Sequence, residues 1–273
     1  MRADLEAVAA RLRAAGCVCA EDEAALLTAA AGTPAELDGL VSRRAGGEPL
    51  EQVIGWASFC GLRVLVDPGV FVPRRRSEYL VTVAVRMAAG GGPAGLRGAL
   101  ALPVVVDLCC GTGALGLAVA AGLESAELHA ADLDLAAVAC ARRNVEPAGG
   151  HVYAGDLFAA LPDALRGRVG VLICNAPYVP TAEIIFLPAE AREHEARLAL
   201  DGGVDGLAIL RRAAASAPGW LAPGGVLVTE TSERQAPLLA AAMTAADLTA
   251  RVHEDEESGA TAVTGVAGRA TSA

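Results

Sequence analysis

Apolar and polar positions divide the chain into three regions of different period. In the first 46 residues the period is helical. Leu5, Val8 and Leu12 share one face and Gly16 marks a stop. Residues 21–31 predict a second helix, closed by Gly32. Thr33-Pro34-Ala35-Glu36 then combines an N-cap, a proline at the first helical position and a capping-box acid. Leu37, Leu40 and Val41 face inward, and Gly46-Gly47 ends this third helix, so the pattern predicts a small three-helix bundle. Residues 48–73 switch to alternation. The stretch 59–67 predicts a hairpin, Pro68-Gly69 a turn, and Val70-Phe71-Val72 a short strand stopped by Pro73. Residues 78–89 predict a helix, and the glycine- and alanine-rich residues 88–103 a surface loop.

From Pro103 onward, apolar strands alternate with helices. Strands are expected at 104–108, 127–132, 151–153, 172–174 and 225–231, and helices at 114–122, 135–144, 207–216 and 234–246. Two closing strands, near 249–253 and 262–267, have no helix between them and predict an antiparallel hairpin at one edge. The fold class is therefore α/β, a seven-stranded, mostly parallel, doubly wound sheet. It divides as a helical unit at 1–47, a hairpin linker at 48–77 and the α/β domain at 78–273. No internal repeat is present.

Composition narrows the possibilities. The 273 residues are 53% apolar with mean hydropathy +0.43. Alanine drives that value, and no charge-free apolar run reaches the ~18 residues of a spanning helix. The opening Met-Arg-Ala-Asp-Leu-Glu has no apolar leader core. Seven cysteines without framework spacing predict reduced thiols and a cytoplasmic setting. Cys17-Val-Cys19 and Cys109-Cys110 lack zinc spacing, so no metal is expected and the thiols read as small buried apolar groups. Net charge is −10, and all 22 basic residues are arginine. Lacking lysine, the chain cannot use a phosphate-loop lysine or form a Schiff base. The acidic balance argues against a duplex-DNA footprint, with Arg74-Arg75-Arg76 the one dense basic patch.

Candidate chemistry sits at the carboxyl ends of the strands, where open α/β sheets bind ligands. Cys109-Cys-Gly111-Thr-Gly113-Ala-Leu-Gly116 follows the first strand, opens a helix and fits the dinucleotide fingerprint. Asp132 ends the next strand about 20 residues further on, where a carboxylate accepts from ribose hydroxyls. Asp156, after the third strand, is placed either to meet an adenine amino group or to serve as a turn residue. His129 and His151 read as strand-surface residues. These features fit an adenosine-type cofactor without separating a nicotinamide dinucleotide from S-adenosylmethionine. The run Val171-Leu-Ile-Cys-Asn175-Ala-Pro-Tyr178 separates them. It ends a strand with a carboxamide, carbonyls and an aromatic ring beside the reactive end of a bound cofactor, and a dehydrogenase has no use for it there.

On these motifs the chain resembles the HemK/PrmC family of protein-(glutamine-N5) methyltransferases. The likeness runs through Phe59-x-Gly61-Leu-x-Val64, Pro68-x-Val70-x-Val72-Pro73-Arg74, Asp107-Leu-Cys-Cys-Gly-Thr-Gly113, Asn175-Ala-Pro-Tyr178 and Glu195-x-x-x-Ala199-Leu-Asp-Gly202-Gly-x-Asp205-Gly206. The resemblance implies a class I S-adenosylmethionine-dependent domain behind a substrate-recognition bundle and a β-hairpin linker. It implies S-adenosylhomocysteine as product and the Gly-Gly-Gln loop of a peptide-chain release factor as partner, with no role for nucleic acid or membrane. Cys109, Gly111, Thr112, Gly113, Asp132, Leu133, Asp156, Leu157 and Asn175 would hold the cofactor. Asn175, Ala176, Pro177 and Tyr178 would form the catalytic motif, and Phe71, Arg74, Asn175 and Tyr178 would meet the substrate. An amide nitrogen is a poor nucleophile. The Asn175 side-chain oxygen and the carbonyl of residue 176 would accept from its two N–H groups and favour the charge that develops on it.

Two departures stand out. Ala176 replaces the first proline of Asn-Pro-Pro-Tyr, which predicts a looser site. Pro73-Arg-Arg-Arg-Ser-Glu78 replaces the family's Pro-Arg-Pro-Glu/Asp-Thr-Glu at the substrate entrance. The alternatives are a paralogue acting on another protein or a small molecule, an adenine-N6 methyltransferase, a cofactor-binding protein with a degenerate site, and a nicotinamide oxidoreductase.

Overall fold

The computed structural model describes residues 2–91 and 102–268. Most of the expected glycine-rich loop at 88–103 falls outside the described residues.

Helices α1 (Arg2–Ala14), α2 (Ala20–Ala30) and α3 (Pro34–Ala45) form as their patterns predict. The Thr33 hydroxyl accepts from the Glu36 amide, and the Glu36 carboxylate accepts from the Thr33 amide, closing the capping box. A fourth helix, α4 (Leu50–Ile54), occupies residues expected to belong to the linker. Its Val53 joins Leu12, Leu27 and Val41 in one small core, which three short helices alone would leave open on one side. The hairpin β1 (Trp56–Phe59) and β2 (Leu62–Leu65) turns at Cys60-Gly61.

The expected strand at 70–72 does not form. Gly69 makes only an isolated parallel bridge to Glu195, and the Val72 amide donates to the Glu195 side chain in place of a second strand. A buried carboxylate has taken the bonds that a ladder would have supplied.

Helix α5 (Glu78–Arg86) continues into a wider turn at Met87–Gly91. The strands of the main sheet are β3 (Val104–Leu108), β4 (Glu127–Asp132), β5 (His151–Ala154), β6 (Val169–Cys174), β7 (Leu221–Thr231), β8 (Leu248–Asp255) and β9 (Ala260–Ala267), in the order β5-β4-β3-β6-β7-β9-β8. Only β9 runs antiparallel to its neighbours, β7 and β8, as the paired closing strands predict. Every residue of β3 and β6 is buried, because helices cover both faces of the sheet. These are α5, α6 (Ala114–Gly122), α7 (Leu135–Val145), α9 (Ala208–Ser216) and α10 (Ala236–Ala245), with the short α8 (Ala189–His194) beside the strand ends. Each fully buried Val, Leu or Ile contributes about 1.5–3 kcal/mol, so this double-sided core is the main support of the sheet.

The helical bundle is tied to the rim of the sheet. Arg44, nearly buried, pairs with Glu23 and with Glu190 of α8. Gln52 donates to the carbonyls of Val70 and His194. His129 is buried, not on a surface. It bonds Tyr153 and Glu127 and stacks on His151, and burial lowers its pKa. No helix among the described residues is long and apolar enough to cross a membrane.

Candidate active site

A cavity of about 730 Å³ opens at the carboxyl ends of β3, β4, β5 and β6. It is lined by residues of all four post-strand segments that the sequence singled out: 109–112, 132–134, 156–157 and 175–178. Phe71 and Arg74 come in from the linker.

The loop after β3 is built for close approach. Cys109, Gly111 and Gly113 all hold left-handed backbone, with φ of 55°, 55° and 78°. A Cβ at Gly113 would lie 2.6 Å from a Val145 methyl, so only glycine lets α6 start against α7. Gly113 therefore shapes the loop from behind, while Cys109, Gly111 and Thr112 face the cavity. Asp132 ties that loop to β4. Its Oδ2 accepts from the Gly111 amide and its Oδ1 from the Asp134 amide, at 2.8 and 2.9 Å. Burial raises its pKa, against those amides. Each of its oxygens keeps a second lone pair. That donor-hungry carboxylate beside apolar Leu133 and Leu157 fits the hydroxyls and base of an adenosine. Asp156 sits at the rim, paired with Arg212 at 2.6 Å. The neighbouring Cys174 thiol, and then burial, push the Cys109 thiol well above the usual range. No cluster of metal-ligating side chains occurs among the described residues.

Asn175 and Tyr178 are held by a residue that the motif reading missed. Glu230, near the end of β7, is 2% exposed. Its Oε2 accepts from Asn175 Nδ2 at 3.2 Å and from the Ser77 hydroxyl at 2.5 Å. Its Oε1 accepts from the Tyr178 hydroxyl at 3.0 Å and pairs with Arg76 Nε at 3.0 Å. Arg76 Nη2 in turn donates to the Tyr178 oxygen at 2.5 Å. Burial, then the Glu230 charge, pushes the Tyr178 phenol far above its usual pKa. A carboxylate can only accept, so the Asn175 NH2 must face Glu230, which leaves Oδ1 for the cavity. A charged residue inside the apolar run Val226-Leu-Val-Thr-Glu230-Thr was the signal, since such a group is buried only with partners.

The segment 195–206 supports the motif from below. Gln235 Nε2 donates to the carbonyls of Tyr178 and Asp205. Gly206 has φ +78°, and a Cβ there would lie 2.2 Å from the Tyr178 carbonyl oxygen. Ala176 lacks the φ lock of proline, yet Asn175 and Tyr178 on either side of it are tied by side chains. Arg74 donates to both oxygens of Glu195, at 2.6 and 2.7 Å, and lies 4.9 Å over the Phe71 ring. The basic patch is thus largely neutralised, with Arg74 paired to Glu195 and Arg76 to Glu230.

The family model described as "Methyltransferase small domain" matches residues 99–203. The release factor glutamine methyltransferase of Geobacter sulfurreducens is 38% identical over 200 residues, 72% of this chain and 66% of that one. That of Bradyrhizobium diazoefficiens is 33% identical over 260 residues, 88% of this chain and 85% of that one. The chain belongs to the release factor glutamine methyltransferase family.

It spans about two thirds of the length of several of the curated relatives it matches. One similar relative carries a different name. It is the 4-amino-L-phenylalanine/4-methylamino-L-phenylalanine methyltransferase of Streptomyces pristinaespiralis, 36% identical over 195 residues, 71% of this chain and 65% of that one. Among solved structures, a methyltransferase from Pyrococcus furiosus shares the fold. It has a TM-score of 0.54 at 15% identity, over 76% of this chain and 90% of that one. Of the three arginines at 74–76, Arg76 is the one that reaches both Glu230 and Tyr178.

Proposed function

We propose that this protein transfers a methyl group from S-adenosylmethionine to the side-chain amide nitrogen of a protein glutamine, that of the Gly-Gly-Gln loop of a peptide-chain release factor. The observation that carries the reading is the Asn175 carboxamide on the cavity wall, held by its NH2 group on Glu230, so that its oxygen is the atom left to accept.

When bound, S-adenosylmethionine supplies an electrophilic sulfonium methyl and leaves as S-adenosylhomocysteine. Asp132, Leu133 and Leu157, with the loop at 109–113, form its nucleoside end of the site. Asn175 Oδ1 and the carbonyl of Ala176 accept from the two N–H groups of the substrate amide. They favour a more tetrahedral, positively charged nitrogen as the N–C bond forms and the C–S bond breaks. The proton is lost from nitrogen afterwards, and no strong base is required, because the displacement is governed by positioning. Tyr178 is a wall and not a base, since its phenol stays protonated and its hydroxyl donates to Glu230. Phe71, which also lines the cavity, helps to exclude water. The bundle of residues 1–47 is the partner-recognition unit, residues 48–77 the linker and residues 78–273 the catalytic domain, and the reaction takes place in the cytoplasm.

A second reading, a small aromatic amine as substrate, is favoured by the aminophenylalanine methyltransferase among the relatives. Labelled S-adenosylmethionine distinguishes the two. Label on intact release factor, absent when the Gly-Gly-Gln glutamine is alanine, supports the first. Label on 4-aminophenylalanine alone supports the second, and label on duplex DNA overturns both.

A further inference from the structure

We propose that Glu230 is a positioning residue that sets which way the Asn175 amide points, and that Arg76 dictates which oxygen of Glu230 does so. The inference rests on the proposed reading of Asn175 as the substrate's acceptor. The hydrogen bonds around Glu230 have a fixed direction. Arg76 has only donors, so its Nη2 fills the lone-pair side of the Tyr178 oxygen and turns the phenolic hydrogen toward Oε1. Arg76 Nε points its own N–H at the same oxygen. Position Oε1 must therefore be an acceptor. Position Oε2 faces the Asn175 NH2 and the Ser77 hydroxyl, and it too must accept if Asn175 is to keep its oxygen on the cavity side. A carboxylate satisfies both demands, and a carboxamide satisfies only one.

Glu230→Gln is therefore not a silent isostere. With Arg76 in place, the glutamine oxygen is drawn to the Arg76–Tyr178 side, and its NH2 faces the Asn175 NH2. Two donors cannot bond, so Asn175 turns over and presents NH2 to the cavity. Removing Arg76 as well lifts the constraint. In Arg76→Met with Glu230→Gln, the Tyr178 hydroxyl can reverse and accept, and the glutamine oxygen can return to Asn175. The second substitution should restore what the first removes, which a merely structural role for Glu230 would not produce. Arg76 is half exposed, so its loss leaves no buried cavity.

The chain has only two asparagines, Asn144 and Asn175, so selective ¹⁵N-asparagine labelling gives two side-chain NH2 signals. Asn144 bonds the Leu65 and Thr112 carbonyls and serves as the internal reference. In Glu230→Gln the Asn175 signal should move and the Asn144 signal should stay. In the double variant the Asn175 signal should return toward wild type. With release factor as substrate, kcat of Glu230→Gln should fall about 100-fold, the effect of losing one aimed polar contact to a developing charge. The affinity for S-adenosylmethionine should be unchanged, and the double variant should regain most of kcat. An Asn175 signal unmoved by Glu230→Gln, or a double variant no nearer wild type than the single, would overturn the proposal. The amide signals report whether or not release factor is the substrate. A wild type that labels no release factor while its Asn175 signal responds as described rejects the functional reading and leaves this one standing.

Discussion

Glu230 Oε2 lies 3.2 Å from Asn175 Nδ2, so a buried carboxylate on β7 orients the carboxamide that ends β6. The two strands are parallel neighbours, with Cys174 opposite Thr229, and each chemical group stands one residue past that pair. The site is thus set by the register of the sheet as much as by the four residues of the motif.

Arg74 and Glu195 form a pair whose carboxylate side chain is fully buried. Arg74→Ala would leave that charge with the Val72 amide alone. The expected cost is about 3 kcal/mol in denaturant unfolding, the range for breaking a buried pair from one side. Adding Glu195→Gln should recover much of it. If Arg74→Ala proves as stable as wild type, the pair is not what fixes the linker to the segment at 195–206.

Asp107 gives a pH signature. Its Oδ2 accepts from the Gly116 amide, its Oδ1 has no partner, and burial raises its pKa from 3.8 to about 8. The folded state therefore binds a proton that the unfolded chain has already lost. Its contribution is full below pH 3.8 and is lost as pH rises through about 8. Thermal unfolding of wild type should lose stability between those limits relative to Asp107→Asn, which mimics the protonated acid. Parallel pH profiles for the two proteins would remove Asp107 as the cause.

Gly206 tests the support beneath the motif. Gly206→Ala combines a positive φ with a Cβ 2.2 Å from the Tyr178 carbonyl. It should destabilise the fold by roughly 2–3 kcal/mol and lower kcat by displacing residues 175–178. A crystal structure of the variant with Tyr178 unmoved would rule out the second effect.

Much of this was legible because period and punctuation agree. The buried runs 104–108 and 171–174, each followed by glycine or proline, placed the two strands around which the sheet and cavity are built. The capping box at Thr33 marked α3 to the residue. Other parts depended on contacts far apart in sequence. Helix α4 forms because the bundle needs a fourth wall, which five residues of pattern cannot announce. Val70-Phe71-Val72 has strand composition, but the Glu195 carboxylate takes the Val72 amide that a ladder would use. Glu230 lies 55 residues from Asn175 along the chain, so only the sheet brings them together. The arginines at 74–76 read as one dense basic patch. Two of its members are committed to Glu195 and Glu230, acids more than 100 residues away.

The most direct test of the central claim is to map the methyl group. Release factor treated with the protein and S-adenosylmethionine would be digested and sequenced by tandem mass spectrometry. The account predicts one methyl on the amide nitrogen of the Gly-Gly-Gln glutamine. It also predicts that Asn175→Ala, still binding the cofactor, transfers it about 100-fold more slowly or worse. A methyl on any other atom, or undiminished transfer by Asn175→Ala, would contradict it.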